Sequence, residues 1–297
     1  MNHNKSFVLL TLCVLLWASN YVVGSIIVNE ISPFWVTFLR WLLALFLLVP
    51  LANKVEKPVW KDVFKRWPAI LLVSLSGLSV YNIVLYTALS HTSAINATLI
   101  NTFSPSLMAI VSRLVLKERL SKMQMLGIVI SLFGVFVVLS QGSLAILLAA
   151  KFNKGDLIML LALSLWIAYT IIVKKINMPP YTLTAAAALF STVLLFPFAL
   201  TQSFDYAALS FGTIVAIFYV AIFISAISFV LWGIGVRDIG PARAGVFLNL
   251  MPVFTAIMSV MLGGKITFSQ IVGGILVFIG VYFTTGLYNA NKKETVK

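Results

Sequence analysis

Bond-making chemistry needs nucleophiles, acids, bases or metal ligands held together, and this chain keeps its candidates apart. The eight acidic residues are Glu30, Glu56, Asp62, Glu118, Asp156, Asp205, Asp238 and Glu294. Each falls in a short polar stretch, at the end of an apolar run or in the tail. Neither histidine, His3 or His91, lies mid-run, and the single cysteine, Cys13, has no partner for a disulfide or a metal cluster. There is no phosphate-binding Gly-Lys loop and no HExxH. A serine nucleophile would lack a nearby buried base. The sequence therefore predicts no catalytic residues, no cofactor and no metal.

What the apolar runs carry at mid-length is suited to binding. At 1.5 Å per residue, the middle of a roughly 30 Å hydrocarbon layer lies about ten residues into a run. Trp17, Tyr81, Pro105, Trp166 and Pro252 stand near that depth, with Asn20, Tyr21, Asn82, Asn101, Tyr169, Ser228 and Asn249 within about a turn of it. A buried amide needs a partner, and a shared wet cavity would supply one. The aromatic residues would line such a cavity, or else simply pack helices. Pro105 and Pro252 free the carbonyls of Asn101 and Leu248. Such backbone is tolerated beside a cavity, water or a neighbouring side chain, although ordinary proline kinks are common too. Arg40 lies inside its run and is a candidate anchor for a substrate carboxylate; the alternatives are snorkelling or bonding to loose carbonyls. Arg113, near a run's end, reads as snorkelling. Ser225, Ser228 and Trp232 follow i, i+3, i+7 on one helix face.

The elements that must position these residues are membrane helices. The 297-residue chain is 61% hydrophobic and 10% charged, against about 25% charged in soluble domains. Runs long enough to span occur near 6–28, 33–52, 68–90, 94–116, 122–140, 155–174, 180–201, 210–234, 241–263 and 267–287. They lack the alternation of an outer-membrane barrel. The first is too long for a signal-peptide core and is expected to be a retained helix. Sixteen basic residues fall on one side of this arrangement, from Lys5 through the 53–67 loop to Lys297, and Lys151, Lys154 and Lys265 fall on the other. The positive-inside rule then places both termini in the cytoplasm. The net charge of +13 is thus a topology signal and predicts no nucleic acid partner. In the 53–67 loop, Trp60, Val63, Phe64 and Trp67 recur at helical spacing among basic residues. That predicts a surface helix on anionic lipid, or else a solvated linker.

The chain also repeats. An offset of 147 pairs Pro33 with Pro180, Thr37 with Thr184, Pro50 with Pro197, Pro105 with Pro252 and Ala109 with Ala256. An offset of 146 pairs Gly127 with Gly273 and Gly134 with Gly280, and 149 pairs Trp17 with Trp166. Five is odd, so the second five-helix half begins on the opposite side. The predicted fold is an all-α integral membrane protein of ten transmembrane helices in two inverted five-helix repeats, 1–140 and 155–288. Inverted repeats are the plan of many secondary transporters. The two glycine pairs, seven apart on one face, predict close packing of the fifth and tenth helices.

Several segments resemble EamA-like members of the drug/metabolite transporter superfamily. They are Trp17-Ala18-Ser19-Asn20-Tyr21, Ser32-Pro33, Phe38-Leu39-Arg40, Ala88-Leu89 with Thr92-Ser93-Ala94, Lys117-Glu118-Arg119-Leu120, and Asn249-Leu250-Met251-Pro252-Val253-Phe254. The second half departs at Gly263-Gly264-Lys265-Ile266, where the glutamate is missing. The resemblance covers nearly the whole chain and implies ten helices, alternating access, and export or exchange of amino acids or related metabolites at the cytoplasmic membrane. The expected partners are a small-molecule substrate and membrane lipids, with the protein acting as monomer or homodimer. Rival readings are efflux of lipophilic drugs or cations, a lipid-processing enzyme or flippase, and a receptor or scaffold. The absence of a mid-run carboxylate or histidine argues against cation efflux and predicts a facilitator or exchanger.

Overall fold

The computed structural model describes residues 3–27, 30–89, 91–92, 94–140, 143–148, 153–204, 209–261 and 266–286. Val28, Ser93, Lys151, Asp205, the 263–265 departure and the basic tail, all used above, lie outside them.

Every described secondary-structure element is helical. The long ones are α1 (His3–Ile27), α2 (Pro33–Val55), α3 (Trp67–Leu85), α4 (Ala97–Val115), α5 (Lys122–Ser140), α6 (Lys154–Ile176), α7 (Pro180–Leu200), α8 (Phe211–Ile239), α9 (Pro241–Met258) and α10 (Phe268–Thr285). Among the described residues, α2 to α10 are each long and apolar enough to cross a membrane, and α1 carries a shorter apolar stretch, Lys5–Asn20. Local signals set the starts. Ser32, Asn153, Ser210 and Thr267 are N-caps that accept from the backbone three residues on. Pro33, Pro180 and Pro241 occupy first-turn positions, where no N–H is needed. Asn177 closes α6 in the left-handed conformation.

The packing maps onto itself when the halves are exchanged. α5 lies along α10, α2 along α7, and α4 on α9. α1 crosses α8 and α9 just as α6 crosses α3 and α4. α2 meets the middle of α8 as α7 meets the middle of α3. One buried core draws on both halves, from Leu10, Trp17 and Trp41 to Trp166, Trp232 and Phe247. Large apolar side chains also cover the outside, with Phe46, Phe211 and Phe268 between 74% and 82% exposed. In water that surface would be a severe liability; in lipid it is the expected coat.

The α5–α10 seam is as the glycine spacing predicts. A Cβ on Gly127 would lie 2.5 Å from the Thr284 nitrogen, and one on Gly280 2.5 Å from the Ser131 nitrogen. One on Gly134 would lie 2.7 Å from the Val277 nitrogen, and one on Gly273 2.6 Å from the Gly134 oxygen. The backbones touch, and only glycine permits it. In the 53–67 loop the short helix is Trp60–Phe64, with Val63 buried and Phe64 ring-to-ring with Phe190 at 6.4 Å. Trp67 is not part of it; with Pro68 behind it, Trp67 opens α3.

Two features were not foreseen. Within α3, Ser74–Leu78 is a π-helix, and within α8 so is Val220–Ile227. They fall at corresponding places in the two halves. Each widened turn releases backbone carbonyls that other side chains use.

Candidate functional site

The mid-depth residues converge on a chamber that both halves build. Trp17 of α1 and Trp166 of α6, repeat mates at offset 149, meet edge to face with centroids 5.0 Å apart. Mates that touch each other must straddle the axis relating the halves. Trp232 lies 5.3 Å from Trp17 and 5.6 Å from Trp166. Phe229 lies 5.7 Å from Trp17, 5.0 Å from Trp41 and 5.8 Å from Tyr169. Tyr81 and Tyr169 stand 5.2 Å and 5.0 Å from Trp166. These rings come from α1, α2, α3, α6 and α8, and all but Tyr81 are at least nine-tenths buried.

Polar groups close around the rings through the widened turns. Trp41 Nε1 donates to the Leu78 carbonyl at 3.1 Å, and Asn82 Nδ2 donates to the same oxygen at 2.6 Å. On the other side, buried Arg40 donates from Nε to Ser225 Oγ at 2.7 Å, and Ser225 donates to the Val220 carbonyl at 3.0 Å. The guanidinium also sits 5.5 Å from the Trp41 ring centroid. Ser79 Oγ donates to Ser191 Oγ at 2.9 Å, and Cys13 Sγ lies 3.2 Å from the Ser228 carbonyl. Trp232 Nε1 donates to Thr170 Oγ1 at 3.3 Å. Among the described residues, Trp166 Nε1 in this cluster lacks a partner, and so does Asn20 Oδ1, three residues along α1 from Trp17. Unpaired buried donors are costly, so the Trp166 indole N–H is a point where a ligand would gain most.

The structure thus joins Trp17, Tyr81, Trp166 and Tyr169 directly. Arg40 and Asn82 reach the group through Trp41 and the Leu78 carbonyl. Ser228 is next to Phe229, but its hydroxyl is committed to the Phe223 and Ile224 carbonyls, at 2.9 and 2.7 Å. Asn249 is bonded instead to Ser131 of α5 at 2.9 Å, with Oδ1 unpaired. Asn101 and Pro252 are half-buried, with no ring contact to the cluster. Tyr21 lies on α1, and its side chain is outside the described residues. Both proline helices are broken as expected. α4 turns at Phe103 before restarting at Ser104, and α9 passes through a 3₁₀ turn, Val246–Asn249, before Leu250. Pro105 is buried against the partner half, with its Cα 3.5 Å from where a Cβ on Gly245 would lie. Trp41 and Phe229 were missed, because one aromatic residue in a Leu- and Phe-rich run carries no signal of its own.

A narrow cleft lies between α3, α6, α7 and α8, lined by Val73, Leu78, Tyr169, Pro180, Thr184, Gly233 and Arg237 among others. Its free volume of about 10 Å³ holds about one water.

Known proteins match along this whole arrangement. The model of the EamA-like transporter family matches twice, over residues 4–140 and 153–286. An uncharacterized transporter of Archaeoglobus fulgidus is 30% identical over 287 residues, covering 95% of this chain and 98% of its own. The uncharacterized transporter YyaM of Bacillus subtilis is 29% identical over 238 residues, covering 78% and 77%. A crystal structure 18% identical superposes with a TM-score of 0.80, covering 97% of this chain and 99% of the other.

Proposed function

Because the chain belongs to the EamA-like transporter family, we propose that it moves a small polar or amphipathic metabolite, an amino acid or a relative, by alternating access, with export the direction the family implies. The carrying observation is the Trp17–Trp166 contact at 5.0 Å, which puts the aromatic chamber on the axis between the halves. A substrate held there would sit at the interface of the halves, where inverted-repeat transporters bind theirs. The ten-span inverted arrangement, with repeats 1–140 and 155–288 and cytoplasmic termini, is supported by the self-mapping packing, the doubled family match and the charge asymmetry. Trp17, Asn20, Tyr21, Tyr81, Asn82, Trp166 and Tyr169 are the proposed lining. Arg40, one residue from Trp41, favours a zwitterionic or anionic substrate over a lipophilic cation. Asn101, Pro105, Ser228, Asn249 and Pro252 act as the framework that flexes around it.

The test is counterflow in proteoliposomes with a panel of labelled amino acids. Saturable exchange supports the reading. Lipid turnover without solute flux would favour the enzyme or flippase. A second arm imposes a pH jump without a substrate gradient. No uphill uptake is expected, since among the described residues no carboxylate joins the aromatic cluster. Uptake that Asp156→Asn alone abolishes would refute the facilitator reading.

A further inference from the structure

Two hydrogen-bonded pairs occupy opposite ends of the molecule and matching places in its two halves. At the basic end, Ser6 in the first turn of α1 donates to Asp238 in the last turn of α8. At the other end, Thr92 in the α3–α4 connection donates to Asp156 in the first turn of α6. Exchanging the halves takes α1 to α6 and the α8–α9 corner to the α3–α4 corner. In register, the offset of 149 carries Ser6 to Gly155, next to Asp156, and the offset of 147 carries His91, next to Thr92, to Asp238. Each pair is one hydroxyl and one carboxylate, with the roles exchanged between the ends.

Each pair is backed by close packing. Below Ser6, a Cβ on Gly235 would lie 2.5 Å from Leu10. Beside Thr92, one on Gly155 would lie 2.5 Å from the His91 carbonyl carbon. Asn153 Nδ2 also donates to Thr92 Oγ1 at 3.1 Å. Further in lie Cys13 on α1 and Ala162 on α6, repeat mates at offset 149, both 0% exposed. The other Asp156 oxygen accepts from the Asn153 backbone N–H at 2.8 Å, which fixes the carboxylate beside Thr92; a hydroxyl–carboxylate bond is about twice as strong as a neutral one.

We propose that Ser6–Asp238 and Thr92–Asp156 are the two latches of the cycle, one closing the basic end and the other the opposite end, so that opening either favours closure of its counterpart. This rests on the alternating-access reading above. In the conformation described here both latches are made.

The molecule supplies its own reporter, since Cys13 is its only cysteine. Labelling by an impermeant maleimide is measured in vesicles of each sidedness. Ser6→Ala should raise Cys13 labelling from the basic end by about tenfold, the population shift from losing one charge-assisted bond. In a Cys13→Ser background, the same variant should lower labelling of Ala162→Cys from the other end. Thr92→Val should do the reverse at both positions. Ser6→Thr and Thr92→Ser keep the hydroxyl and should keep the wild-type rates. Ala88→Cys, in the same buried cluster as Ala162, replaces that reporter if it elutes as aggregate. Unchanged labelling overturns the proposal, and so does a rise at both reporters in one variant, which is mere loosening. Counterflow on the same samples separates the two ideas. Reciprocal labelling without flux leaves the latches and removes the transport reading; flux without reciprocity removes the latches.

Discussion

At the scale of residues, the chamber depends on where each indole N–H goes. Those of Trp41 and Trp232 are spent on Leu78 and Thr170, while that of Trp166 is unspent. Trp166→Phe keeps a ring and removes that donor. It should weaken half-saturation of transport about three- to tenfold, the worth of one hydrogen bond, with maximal flux little changed. Equal half-saturation in the variant would remove Trp166 from the binding set. Outside the membrane, Glu118 offers a pH test. Burial lifts its carboxyl above the usual range, against the pull of Lys174, the Ala242 backbone and Arg243. Its folded-state affinity for a proton thus exceeds the unfolded one, so the ionised form costs stability above the raised value, and protonation removes that cost as pH falls. The melting temperature of wild type minus that of Glu118→Gln should therefore drop as pH climbs from the ordinary carboxylate range toward neutrality. A rising difference would mean that the basic neighbours outweigh burial. Trp17, Tyr81, Trp166 and Tyr169 were legible in the sequence because aromatic rings far from a membrane interface demand a reason. Asn82 and Asn249 were legible as buried amides but not by partner, since a Leu78 carbonyl or a Ser131 hydroxyl becomes available only through folding.

At the scale of elements, the proline breaks and the glycine seam could be read directly, because proline lacks an N–H and glycine lacks a Cβ wherever they fall. The π-helices could not be. A widened turn leaves no compositional mark, and the hydroxyls at Ser74, Ser76, Ser79, Ser225 and Ser228 pass for ordinary helix contacts. Its consequence is testable at Gly77, where a Cβ would come within 2.2 Å of the Tyr169 ring. Gly77→Ala should displace that ring and reduce flux well below wild type while the protein still elutes as a single species. Normal flux would show that Tyr169 is not needed in place. In the seam, Gly127→Val should cost about 1–3 kcal/mol, since backbone cannot yield as a side chain does. Gly280→Val, its counterpart across the contact, should lower thermal stability comparably, and a neutral result at both would contradict the backbone approach.

At the scale of the whole molecule, orientation rests on charge and packing rests on repetition. Cysteines at Ser143 and Ser203 should label from outside in intact cells, and cysteines at Lys61 and Lys175 only after permeabilisation. The reverse pattern would invert the assignment of both ends. The all-helical class and the order of the apolar helices could be read from hydropathy, because lipid imposes length on any helix that crosses it; nine of them meet that length among the described residues. The interlocking of the halves could not. Sequence offsets say which residues correspond, not that α1 of one half lies against α8 and α9 of the other.

The α5–α10 seam carries a consequence about ancestry. Both helices close their halves and both present glycines seven apart, so each face is complementary to a copy of itself running the other way. Were the two halves copies of one five-helix unit, such a face would let one copy pair with another running the other way, and duplication would only have to tether the two. If so, the tether is dispensable today. Cut between residues 140 and 153 and expressed as two chains, the halves should copurify from membranes, and Gly134→Leu in the first should part them. Recovery of each half alone, with Gly134 intact, would mean that the join came before the fit.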